Sequence, residues 1–183
     1  MKNAVITPQQ AAMVELWELH MAAEFATKDV DATMATMTAH PFVNHVPVMT
    51  GGVGYEDVRD FYARFFLTGH PPDTAVILVA RTVGEDRIVD EMSFSFTHTL
   101  EMPWMLPGIK PTHKRVEVPV VAVVLFEDGK IAGERIYWDQ ASVLAQIGLI
   151  DSSKLPVAGA ESSRKVLDQA REPSNALIHR AAA

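Results

Sequence analysis

Residues 87–100 read Arg87-Ile88-Val89-Asp90-Glu91-Met92-Ser93-Phe94-Ser95-Phe96-Thr97-His98-Thr99-Leu100. Met92, Phe94, Phe96 and His98 alternate with small polar residues, the period of two that marks a β-strand with one apolar face. Thr74–Val83, Val116–Phe126 and Lys130–Trp138 carry the same period. Asp128-Gly129 between the last two is a hairpin signal. Residues 102–112, rich in proline, form a long irregular connection between the second and third of these strands.

Upstream of this run the period is helical. Thr7-Pro8-Gln9-Gln10 sets a capping hydroxyl, a first-turn proline and a glutamine at N3, a capping box. Met13, Leu16, Trp17, His20, Met21 and Phe25 then follow at three- and four-residue spacing. A shorter helix is expected over 31–37, broken at His40-Pro41, and a strand over Phe42–Val46. Gly51-Gly52-Val53-Gly54 reads as a turn rather than a phosphate loop, because it lacks the Gly-Lys-Ser/Thr ending and runs into Glu56-Asp57. Helices are expected over 55–66, 140–147 and 161–171. Helices first and antiparallel strands after mean an α+β fold. The expected architecture is a curved, cone-shaped sheet with the N-terminal helices packed over an apolar pocket. Residues 1–150 are expected to form this domain, and 151–183 a C-terminal extension.

Composition excludes several classes. The chain has 183 residues, 16 basic against 23 acidic, for a net charge of −7. No basic face is visible for phosphates, so no nucleic-acid partner is expected. No apolar run reaches the roughly 18 residues of a membrane span, and the first eight residues lack the apolar stretch of a secretory leader. A cytoplasmic location is therefore expected. The absence of cysteine removes disulfides, thiolate metal sites and thiol nucleophiles. His40 and His45 have no third ligand at suitable spacing, so neither a metal nor another cofactor is expected.

Gly54-Tyr55-Glu56-Asp57-Val58-Arg59-Asp60-Phe61-Tyr62 resembles a helix start of the SnoaL-like branch of the nuclear-transport-factor-2-like superfamily. Asp128-Gly129-Lys130-Ile131, Tyr137-Trp138-Asp139-Gln140 and Leu144–Gly148 resemble its closing hairpin and last helix, and Thr97-His98-Thr99 a strand end. The resemblance covers about residues 8–150. It implies a cone with a deep pocket, often as a homodimer, and leaves the reaction open. One chemistry on this fold, of the limonene-epoxide-hydrolase type, uses an Arg-x-Asp pair and a further Asp. Met92, Phe94 and Ile136 occupy those places here, and Phe42 stands where a tyrosine would help Asn44 hold water. That mechanism has no base in this chain.

An acid/base enzyme acting without cofactor on a small, apolar or ring-containing compound is the first expectation, of cyclase, isomerase or hydrolase type. Its candidate catalytic groups are His98, Glu134, Asn44, His45 and Asp139, although Asp139 also reads as a helix cap. Phe42, Tyr62, Phe66, Met92 and Phe94 are expected to touch the ligand. So are Phe96, Trp104, Val120, Ile136 and Trp138. Trp104 stands in a greasy loop segment, expected to close the pocket or to be buried between subunits. The alternative is a non-catalytic small-molecule-binding or accessory domain working beside a metabolic enzyme of dienelactone-hydrolase type.

Overall fold

The computed structural model describes residues 6–181; the leader reading of residues 1–5 and the end of the extension lie outside the described residues. Helix α1 (Pro8–Ala22) starts at the expected capping box, with Thr7 and Gln10 bonded reciprocally. It continues into a π-helical turn, Ala23–Thr27, and a short α2 (Val30–Ala35) follows. Strands β1 (Met37–His45) and β2 (Thr50–Val53) precede α3 (Tyr55–Phe61), which ends in a second π turn, Tyr62–Phe66. Strands β3 (Ala75–Val83), β4 (Arg87–Thr97), β5 (Arg115–Glu127) and β6 (Lys130–Trp138) come next. Helices α4 (Gln140–Gln146), α5 (Glu161–Leu167) and α6 (Ala176–Ala181) close the chain.

The six strands form one mixed sheet in the order β2-β1-β6-β5-β4-β3. All neighbours are antiparallel except β1 and β6, which run parallel with Val43 opposite Glu134 and His45 opposite Ile136. The sheet curls around the helices without closing, so its concave side and α1 enclose the core. In α1, Trp17 donates its indole N–H to Asp90 Oδ2 at 2.8 Å. Arg81 grips the same carboxylate through Nε and Nη2, both at 2.8 Å. This buried pair on β3 and β4 pins the helix to the sheet.

Two expectations are corrected. The helical pattern ends before Pro41 as expected, but the strand begins at Met37 rather than Phe42: β1 passes through Pro41, which lies in a register shift between Met37 and Phe42 where no ladder N–H is required. The glycine stretch is not a turn: residues 50–53 pair with β1 as an edge strand. Gly51, with φ +139°, makes this possible, since a Cβ there would overlap the Val43 carbonyl oxygen.

After residue 151 the chain returns to the convex face of the sheet. Ser163 on α5 meets Ser93 on β4 at 2.8 Å, and Arg164 pairs with Glu117 on β5 at 3.2 Å. Among the described residues no helix is long and apolar enough to cross a membrane.

Candidate active site

The concave side holds a cavity of about 60 Å³ between α1, the α3 π turn, β1, β3–β6 and the 102–107 loop. Met92 and Phe94 from β4, Val120 and Ala122 from β5 and Ile136 and Trp138 from β6 alternate onto it, as period-two counting requires. Tyr62 and Phe66 reach it from the π turn, and Trp104 from the loop. The loop is buried within this chain: Trp104 donates to the Gly69 carbonyl at 2.9 Å, and Thr50 donates to the Trp104 carbonyl at 2.6 Å. A Cβ on Gly69 would sit 2.8 Å from the Trp104 ring, so the close approach needs glycine.

Of the residues expected to touch a ligand, Phe42 and Phe96 do not line this cavity. Phe42 points to the other face of β1, beneath the Arg135 guanidinium, because one residue along a strand reverses the side chain. Phe96 is in phase but lies deeper in the core, fully buried.

The candidate catalytic residues separate similarly. Glu134 and His45 line the cavity. Asn44 faces away on the Phe42 side of β1. Asp139 caps α4, accepting from the Ser142 N–H at 3.0 Å. His98 lies beyond the end of β4, where its Nδ1 accepts the Thr112 backbone N–H at 3.3 Å. It is buried without lining the cavity. The strand stays in phase, but the cavity ends before His98 is reached.

What the sequence reading missed is the company Glu134 keeps. His20 and Glu24, one helical turn apart on α1 and its π turn, meet Glu134 and Tyr62 in one buried cluster. His20 Nε2 stands 3.2 Å from Glu24 Oε1, from Glu134 Oε1 and from the Tyr62 hydroxyl. The Tyr62 hydroxyl donates to Glu134 Oε1 at 2.9 Å. On the far side of the ring, His20 Nδ1 lies 2.7 Å from Thr36 Oγ1. The Thr36 hydroxyl already donates to the Thr33 carbonyl at 2.6 Å, so Nδ1 must carry a proton. Nε2 faces only oxygens, and a proton there completes an imidazolium.

The electrostatics agree with that count of protons. Burial alone would lower the His20 pKa, but Glu24 and Glu134 outweigh it and raise it to about 10. Burial raises Glu24, against the pull of His20, and Tyr62 is pushed well above its ordinary value, so it remains a donor. His20, Glu24 and Glu134 also place ligand-type atoms within 4.8 Å of one another, a set the sequence reading did not anticipate, and a cation could bridge them only in place of the proton on His20 Nε2.

The family model for SnoaL-like polyketide cyclases matches residues 12–147. The chain belongs to this family. Solved structures similar to this SnoaL-like protein share its fold at low identity. A SnoaL-like protein from Jannaschia sp. CCS1 is 21% identical with a TM-score of 0.66, covering 81% of this chain and 100% of its own. TsrD from Streptomyces laurentii is 21% identical with a TM-score of 0.62, covering 80% and 100%. A ketosteroid isomerase-like-fold protein from Catenulispora acidiphila, in complex with trimethylamine, is 19% identical with a TM-score of 0.57, covering 79% and 96%. No curated protein matches the chain.

The buried histidines of the SnoaL-like domain set its stability against pH. Burial, and then the proximity of His70, lowers His45 to about 3; burial, and then Lys28, lowers His70 to about 4. Both stay neutral in the fold while the unfolded chain takes up protons near 6.5, so stability is lost as pH falls from about 6.5 toward 3. His20 has the opposite sign: its contribution is complete below about 6.5 and is lost as pH rises toward 10. Glu24, raised by burial, contributes stability that is lost as pH rises above 4.5, opposing the gain from His45 and His70. Melting temperature is expected to peak near neutrality and fall on both sides, with the alkaline fall flattened in His20→Gln. A melting curve that rises steadily from pH 4 to 10 would contradict this.

Proposed function

We propose that the protein is a SnoaL-like enzyme that moves a proton on a small, largely apolar carbonyl compound, with Glu134 as the acid/base group and no cofactor. The observation that carries this is a carboxylate held by Tyr62 and His20 at the wall of a largely apolar cavity. Such a site keeps a charged base out of bulk water beside an apolar substrate, where general base catalysis is effective. A Glu134 oxygen takes a proton from the carbon next to the carbonyl. The C–H electron pair becomes the enolate double bond, and the carbonyl π pair moves to oxygen. Return of the proton to another carbon isomerises the substrate. Attack of the enolate carbon on a second carbonyl of the same molecule closes a ring, and the new alkoxide takes the proton back. His20 and Glu24 act through Glu134 as positioning groups.

The test is deuterium wash-in. The protein is incubated in D₂O with a panel of small cyclic ketones and lactones, and exchange at the carbon next to the carbonyl is followed by NMR. Exchange above the buffer rate supports the enzyme. Ligand binding without exchange across the panel supports the alternative, a non-catalytic binding domain. That second reading has one observation in its favour: the four polar groups satisfy one another without a ligand. The trimethylamine complex of the Catenulispora neighbour supports the small-ligand part of either reading.

We place the boundary of the SnoaL-like domain near residue 150, with the extension laying α5 on the convex face. That face keeps apolar groups in water: Ile77 is 50% and Tyr137 42% exposed. A homodimer through this face, in the cytoplasm, is our reading. Sedimentation at micromolar concentration is expected to give twice the 20.1 kDa chain mass; a monomer would mean that α5 provides all the cover this face has.

A further inference from the structure

We propose that His45 and Trp138 form an oxygen-binding end of the cavity, which takes the carbonyl of a neutral ketone or lactone and turns its neighbouring carbon toward Glu134. Only the last clause rests on the acid/base reading.

All three tryptophans of the chain line the cavity. Trp17 donates to Asp90 and Trp104 to the Gly69 carbonyl. Trp138 Nε1, equally buried, has no partner among the described residues, and neither has His45 Nδ1. The two rings are neighbours, with centroids 5.6 Å apart and planes at 61°. A buried polar group without a partner is destabilising, because its desolvation is not repaid. Two such groups side by side at a cavity wall are the arrangement that a ligand atom would satisfy.

The chemistry of the two groups restricts that atom. An indole N–H only donates, so its partner must be an acceptor. Burial keeps the His45 ring neutral, with one N–H and one lone pair. A carbonyl oxygen has two lone pairs and accepts from both rings in the tautomer that places the His45 proton on Nδ1. A carboxylate does not suit the site: among the described residues no Lys or Arg lines the cavity, whereas Glu24 and Glu134 do. The sheet supplies the spacing. His45 lies opposite Ile136, one inward position from Glu134 on β6. Successive inward positions are about 7 Å apart. That is roughly the span of two hydrogen-bond contacts with a carbonyl and its adjacent carbon between them.

Cyclopentanone and methylenecyclopentane, alike in shape and different only in the oxygen, are suitable probes. Trp138→Phe and His45→Phe are each expected to weaken cyclopentanone binding by about three- to tenfold, the worth of one hydrogen bond. Methylenecyclopentane binding should stay within about twofold, which also reports that the cavity survives. Equal weakening of both probes, no weakening of either, or failure of the wild-type protein to bind cyclopentanone would each overturn the subsite. Where a variant does not fold, the wild-type protein decides by infrared spectroscopy. The bound ketone's C=O stretch should move to lower wavenumber than in hexane, and an unmoved stretch overturns the proposal. These measurements are independent of turnover. A lowered stretch without deuterium exchange would keep the subsite and reject the acid/base reading; exchange with an unmoved stretch would do the reverse.

Discussion

Glu134→Gln is expected to lower the deuterium exchange rate by about 10²–10⁴-fold, the usual contribution of a positioned general base. The substitution is close to isosteric. Its carbonyl oxygen can still accept from Tyr62 and His20, which now meet Glu134 Oε1 at 2.9 and 3.2 Å. What disappears is the charge and basicity of the carboxylate. Ligand binding and melting temperature should therefore change much less than the rate. Glu24→Gln is the necessary comparison, because Glu24 lines the same cavity. If Glu24→Gln abolishes exchange while Glu134→Gln retains it, the base has been assigned to the wrong carboxylate. If both retain it, the cluster is structural.

The second large effect is on stability. Asp90→Ala is expected to cost about 3–5 kcal/mol, typical for removing one partner of a buried ion pair. It leaves the Arg81 guanidinium, whose side chain is 16% exposed, with only the solvent-exposed Glu18 carboxylate at 3.0 Å, and it leaves the Trp17 N–H without an acceptor. For a chain of this size that corresponds to a fall in melting temperature of roughly 6–20 °C. Replacing Arg81 and Asp90 together by Met and Leu should recover a good part of the loss, since no charge is then stranded. Urea denaturation showing a loss below about 1 kcal/mol for Asp90→Ala would mean that α1 is held by its apolar contacts alone.

The strands from 87 to 138 were legible in the sequence because each carries one buried face, so alternation and burial are the same information; β3 was legible from its alternation of half-buried and exposed residues. The capping box at Thr7 was legible because it is local. Strand β1 was legible only from Phe42 onward. Its first half was not, because Pro41 opposes a strand on propensity and only β6, distant in sequence, supplies the partner that overrides it. The site was half legible for a related reason. Glu134 stood out as a charge in phase with Ile136 and Trp138, whereas Glu24 is a single charge within a helical run and drew no attention. Yet it stands four residues after His20 and seven after Trp17, in phase with the apolar stripe. Counting charged residues into the helical period, as was done for the strands, would have found it. His98 shows the converse: phase along a strand says which face a side chain takes, and nothing about where along that face a cavity stops.

The parallel pairing of β1 with β6 also bears on how the chain is made. Val43 leaves the ribosome long before Glu134, its partner across the ladder. At about 5–20 residues per second, seconds pass in which β1 has only the short edge strand β2 beside it. Half of the buried polar cluster, His20 and Glu24, is synthesised early and must wait for the other carboxylate. Contacts this far apart in sequence slow folding, because loop closure must precede any gain from them. The N-terminal third thus completes its packing only after β6 has been made.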